Sequence, residues 1–233
     1  MGEMAGLVTG GSRGIGLAIA RGLAEAGVRV AVAARGREGV ERAVAELGGG
    51  AIGIAADVRR REDCERTVSE AVSAFGRLDI LINNAGVGAF GPVADMDPED
   101  WNRVIETNLS GVFYCTHAGI PHLRAAGGGW IINIGSLAGK YATPGRAAYN
   151  ATKFGLIGFT EALMQEVRHD GIRVSCIMPG SVATDFRSRG SADEEAWMIQ
   201  PADIAGIVVD LLRTPDRTLP SRIEVRPSRP PRK

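Results

Sequence analysis

The sequence predicts an α/β protein: a single domain of three layers, αβα, around a doubly wound parallel sheet. Three observations lead there. The candidate strands are short, unbroken apolar runs rather than alternating ones, which is how strands covered on both faces read. Segments of helical periodicity separate nearly all of them, as a sheet of crossover connections requires. The residues that could carry chemistry fall just after the strands, at the edge where ligands of such sheets bind. A length of 233 residues, 45% of them hydrophobic, suits one sizeable core.

Taken in order, Met4–Thr9 is a buried strand ending in the turn Thr9-Gly10-Gly11-Ser12-Arg13-Gly14-Ile15-Gly16. An amphipathic helix follows to about Ala26 and is closed by Gly27. Val28–Ala33 is a second strand, 37–47 a second helix, and Ala51–Ala56 a third strand ending at Asp57. The next helix covers 60–75 and stops at Gly76. Leu78–Ile82 is a fourth strand ending in Asn83-Asn84-Ala85-Gly86. Asp97 caps a helix that has Pro98 at its first position, where a missing N–H costs nothing. That helix is expected to reach about Arg124 with a break around Pro121. Trp130–Ile134 is a fifth strand with Gly135-Ser136 at its end. Phe154, Ile157, Phe159 and Leu163 have helical spacing and place Tyr149 near the start of a helix that runs to about His169. Ile172–Met178, a helix over 201–213 and a short strand Arg222–Val225 complete the series. Residues 1–226 form the domain, and 227–233 are a basic, proline-rich tail expected to be partly disordered.

Composition excludes several classes. Lys plus Arg and Asp plus Glu both number 27, so the net charge is zero and no basic face for nucleic acid is implied. No eighteen-residue apolar run is present, so no membrane span is expected. The N-terminus lacks the features of a signal peptide. Three scattered cysteines, at 64, 115 and 176, fit a reducing, cytoplasmic compartment better than a disulfide framework. His117, His122 and His169 have no partners at ligand spacing, so no metal site is expected. Trp101 and Trp130 are expected to be packing residues.

Two stretches point to chemistry. Tyr149 and Lys153 stand four apart on one helix face and can aim at the same volume. A free phenol has a pKa of about 10, and a nearby ammonium lowers it. Bringing it to about 7 takes on the order of 4 kcal/mol, a sum that one lysine, a helix N-terminus and a cationic cofactor ring can supply together. The first turn has glycines 10, 14 and 16. Its spacing differs from GxGxxG, but the physics is shared: a tight turn, close backbone approach to a pyrophosphate, and a helix N-terminus to favour its charge. After the second strand comes Ala33-Ala34-Arg35, with no carboxylate for ribose hydroxyls. Arg13 and Arg35 together suit a 2′-phosphate, so NADP(H) is expected in preference to NAD(H).

From about residue 4 to 213 the chain resembles the short-chain dehydrogenase/reductase family. Thr9–Gly16 is similar to its glycine motif, Asn83–Gly86 to its NNAG motif and Asn108 to its helix asparagine. Ser136, Tyr149 and Lys153 match its catalytic positions, and Pro179-Gly180 with Thr184 its nicotinamide-side motif. The resemblance implies a Rossmann-type fold and a cofactor contacted by Gly10, Ser12, Arg13, Gly14, Ile15, Gly16, Arg35, Asp57, Val58, Asn84, Ala85, Gly86, Pro179, Gly180, Val182 and Thr184. Asp57 and Val58 would meet the adenine, Asn84–Gly86 the adenosine-side ribose and pyrophosphate region, and Val182 and Thr184 the carboxamide. Tyr149 would exchange the proton with a carbonyl or alcohol oxygen. Ser136 would bond that oxygen, Lys153 the ribose, and Asn108 a water linking Lys153 to solvent.

The resemblance also implies a homo-oligomer, a dimer or tetramer, formed through the helices at 98–124 and 148–169. Only about fifteen residues separate Thr184 from the next helix, where many members carry a longer lid. The ending looks more like the branch acting on small hydroxy acids than the branch reducing acyl-carrier thioesters. A ketone or aldehyde reductase, including the 3-oxoacyl type, is the first expectation. An NADP-dependent dehydrogenase of a small hydroxy acid is the alternative. A non-catalytic NADP-binding regulator is the rival of another class, disfavoured by the complete set of Asn108, Ser136, Tyr149 and Lys153.

Overall fold

In a computed structural model, which describes residues 4–186 and 196–231, the apolar runs become seven strands of one sheet. They are β1 (Ala5–Thr9), β2 (Arg29–Ala34), β3 (Ile52–Ala55), β4 (Ile80–Asn83), β5 (Gly129–Ile134), β6 (Ile172–Pro179) and β7 (Arg222–Val225). Their order is β3-β2-β1-β4-β5-β6-β7, and every neighbouring pair is parallel. The chain walks outward from β1 to β3, then restarts at β4 on the other side of β1 and walks the opposite way. The crevice beyond β1 and β4 is therefore the switch point at which such sheets bind ligands.

Burial explains the unbroken apolar runs. Every residue of β1 and β4 is buried, whereas the edge strands β3 and β7 are partly exposed. Adjacent residues on a strand serve opposite cores, as the pleat requires. Val8 and Ile132 face a core shared with Ile19 and Leu23 of α1 (Gly14–Glu25), Val40 of α2 (Arg37–Leu47), and Ile204 and Val208 of α7 (Pro201–Leu212). Leu7 and Ile131 face the other core, with Val68 of α3 (Arg61–Phe75), Cys115 of α5 (Gly111–Ala125) and Leu163 of α6 (Ala147–Val167). Each fully buried Leu or Ile of this kind contributes about 1.5–3 kcal/mol.

Most helix ends are where the sequence puts them. Gly27 and Gly76 adopt positive φ (85° and 78°) just past α1 and α3. Asp97 Oδ1 accepts from the Glu99 N–H at 2.8 Å, and Pro98 opens α4 (Pro98–Ile105). At the start of α7 the Asp203 carboxylate accepts from the Gln200 N–H at 2.8 Å, one half of a capping box.

Two expectations are corrected. The long helix is not broken at Pro121, which lies inside α5. Local propensity argues for a break there, but buried Cys115, Gly119 and Leu123 hold the helix through it. The irregularity lies earlier, where Glu106–Ser110 form a π-helical turn between α4 and α5. The periodic residues do mark α6, whose fully buried positions include Leu156, Thr160, Leu163 and Val167, while Phe159 packs partly against a core and Phe154 is exposed. Trp130 is fully buried as expected, but Trp101 is 40% exposed and packs in neither core. At the end of the domain Arg226 Nη2 donates to the Tyr141 hydroxyl and bonds Glu224 Oε2 at 2.9 Å, and of the tail that follows, 232–233 lie outside the described residues.

Candidate active site

The glycine turn is shaped by what it must pass. Gly10 has φ +64°, and a Cβ there would lie 2.8 Å from the Ala85 Cα. A Cβ on Gly16 would lie 2.3 Å from the Gly10 carbonyl oxygen. Any side chain at either position would force the turn away from β4 and fill the hollow over the start of α1. Asn84 locks the same turn from the other side. Its Nδ2 donates to the carbonyls of Thr9 (3.0 Å) and Gly10 (3.1 Å). Thr9 Oγ1 in return accepts from the N–H groups of Asn84 (3.0 Å) and Ala85 (3.2 Å). The amide of Asn84 is thus spent on the turn itself. Thr9 does part of this work and was not among the expected site residues; its place as the last residue of the first strand is the signal that marks it.

Below the crevice lies a buried polar ladder. Asn83 and Asn133 sit opposite each other in the β4–β5 register. Asn83 Nδ2 donates to Asn133 Oδ1 (2.8 Å) and to Thr116 Oγ1 of α5 (3.0 Å), and Asn133 Nδ2 donates to Thr160 Oγ1 of α6 (2.9 Å). Both strand ends are thereby tied to the helix that carries Tyr149.

The π turn has a visible result. It swings Asn108 inward, where Oδ1 accepts from the Val87 N–H (2.8 Å) and Nδ2 donates to the Val87 carbonyl (2.9 Å) and to Thr152 Oγ1 (3.2 Å). Such turns recur at functional sites because one extra residue re-aims a side chain. Both amide hydrogens of Asn108 are committed, so the side chain fixes the loop after β4 against α6.

On α6, Lys153 is buried, and its Nζ donates to the Ile134 carbonyl at 2.8 Å. Burial pulls its pKa down from the ordinary 10.5 to about 8, with the nearby Cys176 thiol opposing. The ammonium therefore stays mostly protonated at neutral pH. It lies 5.7 Å from the centroid of the Tyr149 ring. Ser136, after β5, accepts from the Ala138 N–H at 3.1 Å as the cap of a single helical turn, which leaves its hydroxyl hydrogen to turn to another oxygen. Asn150 holds that turn against α6 by donating to the Ala138 (2.5 Å) and Tyr141 (3.2 Å) carbonyls. The loop after β6 closes the circle. Pro179-Gly180 ends β6, Val182 pairs with Ile199, and the Thr184 methyl lies 3.5 Å from where a Gly14 Cβ would be. Phe186, two residues on, has its ring centroid 5.6 Å from that of Tyr149.

The adenine end is equally ordered. The Asp57 carboxylate is gripped by Arg59, whose Nη2 lies 2.6 Å and Nε 2.9 Å from Oδ2. Burial pushes the Asp57 pKa up, but bonds to the Arg59 side chain and peptide outweigh it and hold the carboxyl below the usual range. Arg59 was not expected at the site. Its Arg59-Arg60-Arg61 run reads as solvated charge, and nothing in the sequence says that one member folds back. Arg13 and Arg35 are exposed at the crevice rim, with Arg35 close enough to Asp57 to be felt by its charge. Most of the segment expected to lid the substrate, residues 187–195, lies outside the described residues; Trp197 beyond it is half-buried.

A glycine-lined hollow at a switch point fits a dinucleotide, and the tyrosine and charged lysine beside it can exchange a proton with an oxygen on carbon. Fold and site together define a nicotinamide-dependent oxidoreductase acting on CH–OH groups. The chain belongs to the short chain dehydrogenase family, whose profile it matches over residues 5–195. It is 38% identical over 219 residues to a 3-oxoacyl-[acyl-carrier-protein] reductase of Synechocystis, covering 90% of this chain and 89% of that one. Among solved structures it is similar to a metagenomic short-chain oxidoreductase in complex with NADP (38% identity, TM-score 0.86, 98% and 99% of the two chains). It is also similar to a 3-ketoacyl-(acyl-carrier-protein) reductase from Brucella melitensis complexed with NADH (29% identity, TM-score 0.90, 97% of each). Among the described residues no helix is long and apolar enough to cross a membrane.

Proposed function

We propose that the protein is an NADP(H)-dependent reductase of a ketone or aldehyde, working reversibly. The observation that carries this reading is the meeting of the Ser136, Tyr149 and Lys153 elements with the glycine turn at one edge of the sheet. The bound dinucleotide supplies the hydride; the chain supplies placement and a proton. Its glycine turn, Asn84–Gly86 and the loop from Pro179 to Thr184 hold the dinucleotide. Tyr149 gives its proton to the carbonyl oxygen, and Ser136 donates a second hydrogen bond to the same atom. Lys153 bonds the ribose and, as an ammonium, favours the phenolate left behind. Asn108 keeps Val87 and Thr152 in register, so Tyr149 and Lys153 stay aimed at one volume.

NADP(H) is preferred over NAD(H) because no carboxylate follows β2 and two arginines do. Asp57, the nearby acid, is already neutralised by Arg59, which leaves the field of Arg35 for a phosphate. Arg35→Asp is expected to lower the NADPH-to-NADH ratio of kcat/KM by at least about tenfold, the scale of one charge-assisted contact. An unchanged ratio takes Arg35 out of the phosphate site. The reading as a whole is tested with ketones, aldehydes, hydroxy acids and 3-oxoacyl thioesters, followed by nicotinamide absorbance. The names of the relatives place the thioesters on that panel.

The three buried, unbridged cysteines support a cytoplasmic location. Residues 1–226 are taken as the catalytic domain and 227–233 as an appended tail. Oligomerisation through α5 and α6 is supported by an open apolar groove between Leu109, Phe113, Tyr114, Gly155 and Phe159, with Phe113 49% exposed. A second copy of the chain is the occupant that fits, because the groove repeats on each copy and can be self-complementary. Phe113→Arg should convert the assembly to smaller species in sedimentation; an unchanged mass places the interface elsewhere.

A further inference from the structure

Two half-exposed phenylalanines stand beside Tyr149. Phe90 is 49% and Phe186 43% exposed, although they belong to different loops. Their ring centroids lie 5.9 and 5.6 Å from that of Tyr149 and 6.4 Å from each other, with the Phe90 pairs edge-on. A Cβ on Gly88 would lie 2.5 Å from the Phe90 ring, so glycine at that position leaves room for the ring to fold back. Gly91 N–H donates to the Gly145 carbonyl at 2.9 Å, tying this loop to the one that leads into α6. The Arg146 guanidinium sits 5.5 Å from the Phe90 ring centroid. Phe186 follows Thr184, whose Oγ1 accepts from the Phe186 N–H at 3.4 Å. Tyr149 is thus flanked by two rings that are each nearly half exposed. An exposed apolar patch beside a reactive group marks where a ligand's apolar part is taken.

We infer that Phe90 and Phe186 are specificity-determining residues that select a carbonyl bonded directly to a flat aromatic group, an inference that rests on the reductase reading above. A planar ring beside the carbonyl can meet both phenylalanines edge-on or offset, the geometries aromatic pairs favour. An extended acyl thioester presents no such face near its carbonyl and gains little from them.

The test compares 1-phenyl-1,2-propanedione with 2,3-butanedione, which differ only in phenyl for methyl, using NADPH and the wild type, Phe90→Ala, Phe186→Ala and the double variant. The wild type should favour the aryl substrate in kcat/KM by at least about tenfold, each single variant should erode that preference several-fold, and the double variant should lose it. NADPH affinity, read by fluorescence titration, should not change. Acetophenone binding to the protein–NADP⁺ complex, followed by calorimetry, should weaken in the same order; this readout does not depend on turnover. Retained aryl preference in the double variant, equal acetophenone affinity across the set, or a wild type that prefers acetoacetyl-CoA overturns the clamp. Acetophenone binding that follows the predicted order in a wild type that turns over neither dione nor any member of the wider panel upholds the clamp and removes the reductase reading instead.

Discussion

Tyr149→Phe is expected to lower turnover by at least about a hundredfold, the scale of a lost general acid, while NADPH still binds. The substitution removes one oxygen and keeps the ring. Its contacts with Phe90 and Phe186, and its place over Lys153, do not depend on the hydroxyl. The cofactor hollow is built by Gly10, Gly16, Thr9 and Asn84, none of which changes. What disappears is the group able to hand a proton to a carbonyl oxygen in the transition state. Ser136 cannot replace it, because an unassisted hydroxyl is a far weaker acid. Steady-state kinetics beside a fluorescence titration of NADPH separates the two effects. Turnover within about threefold of wild type would mean that the proton comes from elsewhere, and the mechanism would fail.

How much of this was legible beforehand follows from what each feature depends on. The sheet was legible because burial on both faces leaves a pattern in every strand, and the edge of the sheet was legible because Gly10, Asp57, Asn84 and Ser136 each follow one. The Tyr149–Lys153 pair was legible because helix geometry fixes residues four apart. The π turn was not. It depends on Asn108 finding Val87 and Thr152, partners 21 and 44 residues away, and no local propensity records that. Pro121 misled for the converse reason, since its local cost is plain while the packing that outweighs it is not. Phe154 and Phe159 gave the right period, yet Phe154 is exposed and Phe159 is only partly packed against a core, because apolar residues on a helix look alike in sequence whichever face they take. Phe90 and Phe186 lie in loops without periodicity, and only the fold brings them to one tyrosine.

Lys153→Met is expected to abolish most activity and at the same time stabilise the cofactor-free protein near neutral pH. Below its own pKa the ammonium is buried with one carbonyl partner, that of Ile134. Folding lowers its pKa from 10.5 to about 8, so the unfolded chain holds this proton more tightly than the folded one. The sign follows: the charge opposes folding at full strength below about pH 8, and the penalty fades as pH rises toward 10.5, where the unfolded chain gives up the proton too. At roughly 1.4 kcal/mol per tenfold, the penalty at neutral pH is on the order of 3 kcal/mol. Methionine fills a similar volume without charge, but it leaves the Ile134 carbonyl unpaired, which returns about 1 kcal/mol or more. A net gain of about 1–2 kcal/mol should raise Tm by a few degrees in a chain of this size. The gap between variant and wild type should narrow from pH 7 to pH 10, because only the wild type carries this titration. Activity should move the other way, with kcat/KM down at least about a hundredfold, since neither the ribose contact nor the field on the Tyr149 phenol survives. Thermal melts across that pH range, run beside kinetics, decide the matter. A variant less stable than wild type at pH 7, or a gap that does not close with rising pH, would show that the lysine is accommodated without strain. The site would then not be one where stability has been given up to hold a charge where the chemistry needs it.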